Sequence, residues 1–268
     1  MTVISLDQLT VNGVRPPELV EIATRAGYGA ISPFLKGSKI LPAIPLRAGD
    51  PDTIAMARRL KDTGIFINNA DGFALFDDVS MQELHAGVAL MAETQARAIV
   101  TLQFDSDPAR GFDRFCQLRE WAQDAGLILL LEFTPLSGVA SLADALAYRQ
   151  RAGQTNIGVL ADLFHLHQSG GTPADLAGVD PAILRGAQLC DGPARMDDAE
   201  YFNRAMFDRM APGEGEMPVR EFLGVLPPDL IYGIEVPFPA VTAGKLGRLE
   251  HATRLLEQAR ALQPQLRA

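Results

Sequence analysis

Four side chains with ligand oxygens stand at the ends of four successive apolar runs: Glu132, Asp162, Gln188 and Glu235. Glu132 closes Leu127-Ile128-Leu129-Leu130-Leu131, and Asp162 follows Ile157-Gly158-Val159-Leu160-Ala161. Alternation along a strand puts Ile128, Leu130 and Glu132 on one face, Gly186 with Gln188 on the next, and Ile231, Gly233 and Glu235 on a third. If the runs are neighbouring strands, three carboxylates and one amide oxygen meet above an apolar interior. Carboxylates so placed repel one another and lose hydration, so they need a compensating positive charge. A divalent cation would supply it. An oxygen-rich set favours a hard or borderline ion, Mn²⁺ or Mg²⁺, with Co²⁺ or Zn²⁺ as further candidates. Taken singly, each acid also has an ordinary reading as a helix cap, a loop acceptor or the partner of a nearby arginine.

The elements that must position these residues follow from periodicity. Strands are expected near Val3 to Leu6, Ala30 to Pro33, Ile65 to Asn68, Ala98 to Gln103, Leu127 to Phe133, Ile157 to Ala161, Gly186 to Leu189 and Ile231 to Val236. Helices should start at Pro16-Pro17, Asp50-Pro51, Ser80, Asp107-Pro108 and Ser141, where a cap acceptor or an N-terminal proline suits the first turn. Glycines 27, 64 and 126 should end helices in the left-handed conformation. Eight strand and helix units in 268 residues give about 33 residues each, close to the minimum for a parallel strand with its crossover helix. The expected fold is α/β, a single (β/α)8 TIM barrel over residues 1–268, with the active face at the C-terminal ends of the strands. An open doubly wound sheet is the runner-up, but no G-x-G-x-x-G follows the first strand.

Leu131-Glu132-Phe133, Asp162-Leu163-Phe164-His165, Gln188-Leu189-Cys190-Asp191 and Ile234-Glu235-Val236-Pro237 resemble the metal-site motifs of the xylose isomerase-like TIM barrel superfamily, the sugar phosphate isomerase/epimerase family. The resemblance implies a divalent metal held by Glu132, Asp162, Gln188 and Glu235. It also assigns His165 to substrate oxygen binding. Glutamine at the third ligand position resembles hydroxypyruvate isomerase-like members, whereas many epimerases carry histidine there. Arg209-Met210-Ala211-Pro212-Gly213-Glu214-Gly215 resembles the R-x-x-P-G-x-G stretch of ketose 3-epimerases, which implies that Arg209 binds substrate; a surface turn with a solvated arginine is the alternative. The segment from Asp191 to Met210 is longer than those epimerases require, so Asp191, Arg195 and Arg204 are candidate substrate contacts.

The function expected is metal-assisted proton transfer next to a carbonyl in a small keto sugar, polyol or hydroxy-keto acid. Glu132 and Glu235 would be general base and acid around an enediolate. A lyase on the same site is the alternative, similar to 3-dehydroshikimate dehydratases. Those enzymes resemble Glu-x-His-Pro after the fifth strand, where this chain reads Glu132-Phe133-Thr134-Pro135, and a threonine hydroxyl is no acid or base at neutral pH. A non-catalytic sugar-binding barrel is a third reading.

Asp plus Glu is 33 against 24 for Lys plus Arg, a formal charge of -9, which offers no field to attract nucleic acid or anionic lipid. That charge and four histidines also disfavour an endonuclease of the same superfamily. No apolar stretch approaches a membrane span and no secretion signal is visible, so a cytoplasmic location is expected. Cys116 and Cys190 are too isolated for a disulfide framework or a thiolate metal site. His167, His85 and His251 read as packing or surface residues. A final helix from Thr242 to Leu262 shows Leu246, Leu249 and Leu256 on one face, explained by packing on the barrel and leaving homo-oligomerisation open.

Overall fold

A computed structural model describes residues 3–38, 40–41 and 43–263. Among the described residues nine parallel segments form one sheet: β1 (Ile4–Asp7), β2 (Ala30–Ser32), β3 (Phe66–Ile67), β4 (Asn69–Ala70), β5 (Ala98–Thr101), β6 (Ile128–Glu132), β7 (Ile157–Asp162), β8 (Leu184–Leu189) and β9 (Tyr232–Ile234). Their order is β3-β2-β1-β9-β8-β7-β6-β5-β4. The two sheet ends are joined by the chain itself, because β3 and β4 are separated only by Asn68. They are two halves of one stave, the first pairing with β2 and the second with β5. Asn68 N still donates to Ile31 O at 2.9 Å, so the break leaves that amide satisfied. Eight staves, flanked by helices, thus make the TIM barrel.

Local signals set the helices that space the staves. Ser80, Asp107 and Ser141 each accept a hydrogen bond from a first-turn amide of the helices Met81–Glu93, Pro108–Asp124 and Leu142–Arg151. Pro51–Thr63 begins where expected, but the Asp50 side chain caps nothing; the fixed φ of Pro51 carries that start. Gly27 and Gly64 end their helices at φ 93° and 73°. The last helix departs from expectation. Pro239–Thr242 is a separate turn, and Arg248–Leu262 packs through His251, Ala252, Leu255, Leu256 and Ala259, so Leu246 precedes it. No helix among the described residues is long and apolar enough to cross a membrane.

Alternation divides the core into two layers, which fixes where the polar strand ends face. Ile99, Leu129, Leu131, Val159, Ala161, Ala187 and Leu189 pack outward in the large layer between the sheet and helices. Ala98, Val100, Leu130 and Leu160 fill the barrel interior, with Leu102 and Ile128 against them. Glu132 shares parity with Leu130, and Asp162 with Leu160, so both carboxylates top the interior stack. Register places Asp162 level with Gln188 and Gln188 level with Gly233.

Candidate functional site

Each functional side chain is delivered by a strand end or the loop after it. Asp162 ends β7 and caps the six-residue helix Leu163–Gln168, its Oδ1 accepting from Phe164 N at 2.7 Å. That turn carries His165 back over the barrel mouth. His165 Nε2 stands 3.4 Å from Glu132 Oε1 and 3.6 Å from Asp162 Oδ2. Ligand atoms of Glu132, Asp162 and His165 all lie within 4.8 Å of one another, close enough to share one metal ion.

The other expected residues meet beside this triad. Gln188 Nε2 donates to Glu235 Oε1 at 3.1 Å and to Asp7 Oδ2 at 2.9 Å, while its Oε1 has no partner among the described residues. Arg209 is 2% exposed, and its guanidinium is spent on the protein. Nη1 donates to Asp162 Oδ2 at 2.6 Å, Nη2 lies 3.1 Å from Glu235 Oε2, and Nε donates to Ala205 O at 2.9 Å. Buried between two acids, Arg209 serves them as counter-charge.

Asp191, one of the long-segment candidates, is likewise turned inward. Its carboxylate accepts from the amides of Gly192, Gly213 and Met217, tying the segment after β8 to the Arg209–Gly215 run. Gly213 holds φ +88°, and a β-carbon on Gly215 would overlap Asp191 and Gly192, so those two glycines shape this tie by different means. Arg204 pairs with Glu200 and Asp208 on its own helix, and Arg195 is exposed. His251 Nε2 donates to Val236 O, 3.0 Å away, His167 Nε2 donates to Ala194 O, and His85 lies exposed against Trp121.

Two buried acids were not anticipated. Asp7 ends β1 one residue beyond the strand that the sequence suggests, and its Oδ1 has no partner among the described residues. Asp71 follows β4, past the break at Asn68, in a bridge with Phe34. The signal for Asp7 was present in Ile4-Ser5-Leu6-Asp7, the same apolar run closed by an acid that marks Glu132. Tyr201 and Thr134 were also missed: Thr134 Oγ1 and Tyr201 Oη are 2.5 Å apart, and Tyr201 Oη is 2.8 Å from His165 Nδ1.

Five buried carboxyls and one guanidinium make the mouth short of positive charge. Burial pushes the carboxyls upward: Asp7 to about 7, Glu235 to about 8, Asp71 and Glu132 well above the usual range, with the neighbouring acids adding to the rise. Hydrogen bonds from Gln188 oppose the effect at Asp7, and Arg209 opposes it at Glu235. Burial also holds His165 neutral, its pKa lowered to about 4. A neutral imidazole, crowded carboxylates and the orphaned amide oxygen of Gln188 are the donor chemistry a divalent ion takes, so the residues fit one. Arg209 does not prevent this, because each carboxylate oxygen has a second lone pair.

No curated protein matches the chain in sequence. Among solved structures, an IolI protein with a bound zinc atom aligns at TM-score 0.71 and 15% identity, covering 97% of this chain and 96% of the other. D-allulose 3-epimerase from Methylomonas sp., in complex with D-allulose, aligns at 0.72 and 14%, covering 97% and 96%. The probable 3-DHS dehydratase AsbF of Bacillus anthracis aligns at 0.74 and 15%, covering 96% and 99%. These likenesses concern the fold. The family profile described as Xylose isomerase-like TIM barrel matches residues 20–258, and with the barrel and its mouth of acids now described, the chain belongs to that family.

Proposed function

We propose that the chain is a divalent-metal-dependent isomerase or epimerase of a small keto sugar, polyol or hydroxy-keto acid, acting through an enediolate in the cytoplasm. The observation that carries this reading is the shared point between Glu132, Asp162 and His165, flanked by Glu235 and by the unpartnered oxygen of Gln188. These residues would hold the ion, Mn²⁺ or Mg²⁺ by the hardness of the set. Bound there, it would offset the negative charge that grows on two adjacent substrate oxygens.

The chain's own groups handle the proton. Among the described residues no hydrogen-bond donor satisfies the Glu132 carboxylate, which has His165 Nε2 at 3.4 Å. A carboxylate without donors is the stronger base, so Glu132 is suited to take a proton from carbon. Glu235 is braced by Arg209 and Gln188. It is suited to return a proton from the other side. A zinc-bound neighbour and a sugar-bound epimerase of the same fold support this combination of ion and reactant.

The test is solvent deuterium exchange at a substrate carbon, with Mn²⁺ present, across a panel of keto sugars and hydroxy-keto acids. Exchange is expected with wild type and absent in both Glu132→Gln and Glu235→Gln; unimpaired exchange in either variant contradicts the role given to it. The lyase reading draws on the dehydratase neighbour. Against it, the Thr134 hydroxyl is committed to Tyr201 and offers no imidazole where those enzymes have one. Release of water with an unsaturated product would reverse that ranking.

A further inference from the structure

The two ring nitrogens of His165 have opposite surroundings. Nε2 faces the carboxylates of Glu132 and Asp162, while Nδ1 faces the Tyr201 hydroxyl at 2.8 Å. Tyr201 Oη in turn lies 2.5 Å from Thr134 Oγ1. Tyr201 is buried, stacked on Phe164 with ring centroids 5.7 Å apart and set edge-on to the His165 ring at 5.9 Å. It arrives on the helix Asp198–Phe207, in the long segment after β8. Thr134 lies two residues past Glu132, and His165 three past Asp162. One hydrogen-bonded line therefore ties the loops that follow β6, β7 and β8.

We propose that Tyr201, backed by Thr134, is the positioning residue that sets the tautomer and ring orientation of His165, so that Nε2 presents its lone pair to the ion shared with Glu132 and Asp162. The inference rests on the metal-centre reading given above.

A neutral imidazole carries one N–H, and each of the two hydroxyls carries one O–H. With the ring hydrogen on Nδ1, Nδ1–H donates to Tyr201, Tyr201 donates to Thr134, and Nε2 is bare. With the order reversed, Thr134 donates to Tyr201, Tyr201 donates to Nδ1, and the ring hydrogen sits on Nε2, pointing at the two carboxylates. Both orders use the same two contacts. Converting one to the other needs two hydroxyl rotations and a change of tautomer, with no heavy-atom displacement. The line is thus satisfied with or without an ion, which a lone carbonyl acceptor at Nδ1 would not allow.

Phenylalanine at 201 would keep the ring stack and delete Oη. An N–H at Nδ1 would then be buried without an acceptor, so the hydrogen moves to Nε2, where the carboxylates accept it. The lone pair meant for the ion is lost.

Zinc, a diamagnetic probe, with protein carrying ¹⁵N in its histidine rings tests this. In wild type with Zn²⁺ the His165 ring should carry its hydrogen on Nδ1, and in EDTA the Tyr201→Phe ring should carry it on Nε2. The Zn²⁺ dissociation constant of Tyr201→Phe, read by chelator competition, should rise about 10- to 100-fold. Thr134→Val should raise it less, and Thr134→Ser should restore it. If Tyr201→Phe unfolds, the Thr134 pair carries the same comparison. A wild-type dissociation constant in Tyr201→Phe, or equal values in Thr134→Val and Thr134→Ser, overturns the inference while leaving the metal centre standing. Failure of the wild type itself to bind Zn²⁺ removes both.

Discussion

Arg209 Nη1 donates to Asp162 Oδ2 at 2.6 Å inside a mouth that buries four further acids, Asp7, Asp71, Glu132 and Glu235. The same guanidinium reaches Glu235, so one residue holds two strand ends together by charge. Such a pair is expensive to assemble, yet removing one partner strands the other without solvent. Arg209→Met should therefore lose about 3–5 kcal/mol in urea unfolding of the metal-free protein. Arg209→Lys should lose less, because an ammonium keeps the charge but cannot span both acids. A loss under about 1 kcal/mol for the methionine variant would mean that Asp162 and Glu235 are satisfied without it.

Glu132 needs a cation, since Arg209 bonds Asp162 and Glu235 and makes no hydrogen bond to it. Ion binding to the folded chain alone adds stability by mass action, about 2.7 kcal/mol at a hundred times the dissociation constant. Adding Mn²⁺ to EDTA-treated protein should raise the melting temperature accordingly. Glu132→Gln should abolish most of that rise, whereas Glu21→Gln, on an exposed helix face, should keep it. Equal rises in both variants would place the ion elsewhere.

The sequence made Glu132 and Asp162 legible because an apolar strand closed by an acid is a local pattern, and parity with Leu130 and Leu160 tells which way each faces. Tyr201 was not legible. It sits on an ordinary surface-helix pattern, and only the fold of a twenty-residue segment brings its hydroxyl to His165. Asp71 was hidden by the interruption at Asn68, which stops the strand signal just before the acid. Arg209 was found by its motif, but its pairing with Asp162 and Glu235 was not. A side chain's reach is readable in a sequence, but the competition between substrate and two buried carboxylates for it is not.

Gly233 makes room for Asp7. A β-carbon there would overlap both oxygens of the Asp7 carboxylate, which holds Gln188 in place through Nε2. Gly233→Ala should cost about 1–3 kcal/mol by overpacking and weaken Mn²⁺ binding by turning the Gln188 amide. Asp7→Ala should remove the overlap, so the double variant should be more stable than the sum of the single losses. Strict additivity in that cycle would show that the two residues do not meet.

The raised carboxyls set how stability depends on pH in the metal-free protein. Burial keeps Asp7 protonated to about 7 and Glu235 to about 8 when folded, against 3.8 and 4.5 for ordinary carboxyls in the unfolded chain. Between those limits the folded state binds more protons, so stability falls as pH rises, by about 1.4 kcal/mol per unit for each retained proton, and the share of these two acids levels off above about pH 8. His165 works in the other direction: its folded value near 4 lies below the ordinary 6.5, so its contribution is present above 6.5 and lost as pH falls toward 4. Since the acids outnumber the histidine, urea midpoints in EDTA should be higher at pH 6 than at pH 8. Saturating Mn²⁺ should flatten or invert that trend, because an ion takes the place of the protons the acids would otherwise keep. A metal-free protein more stable at pH 8 than at pH 6 would mean that these acids are already ionised in the folded chain, and with them the demand for a cation at the barrel mouth would go.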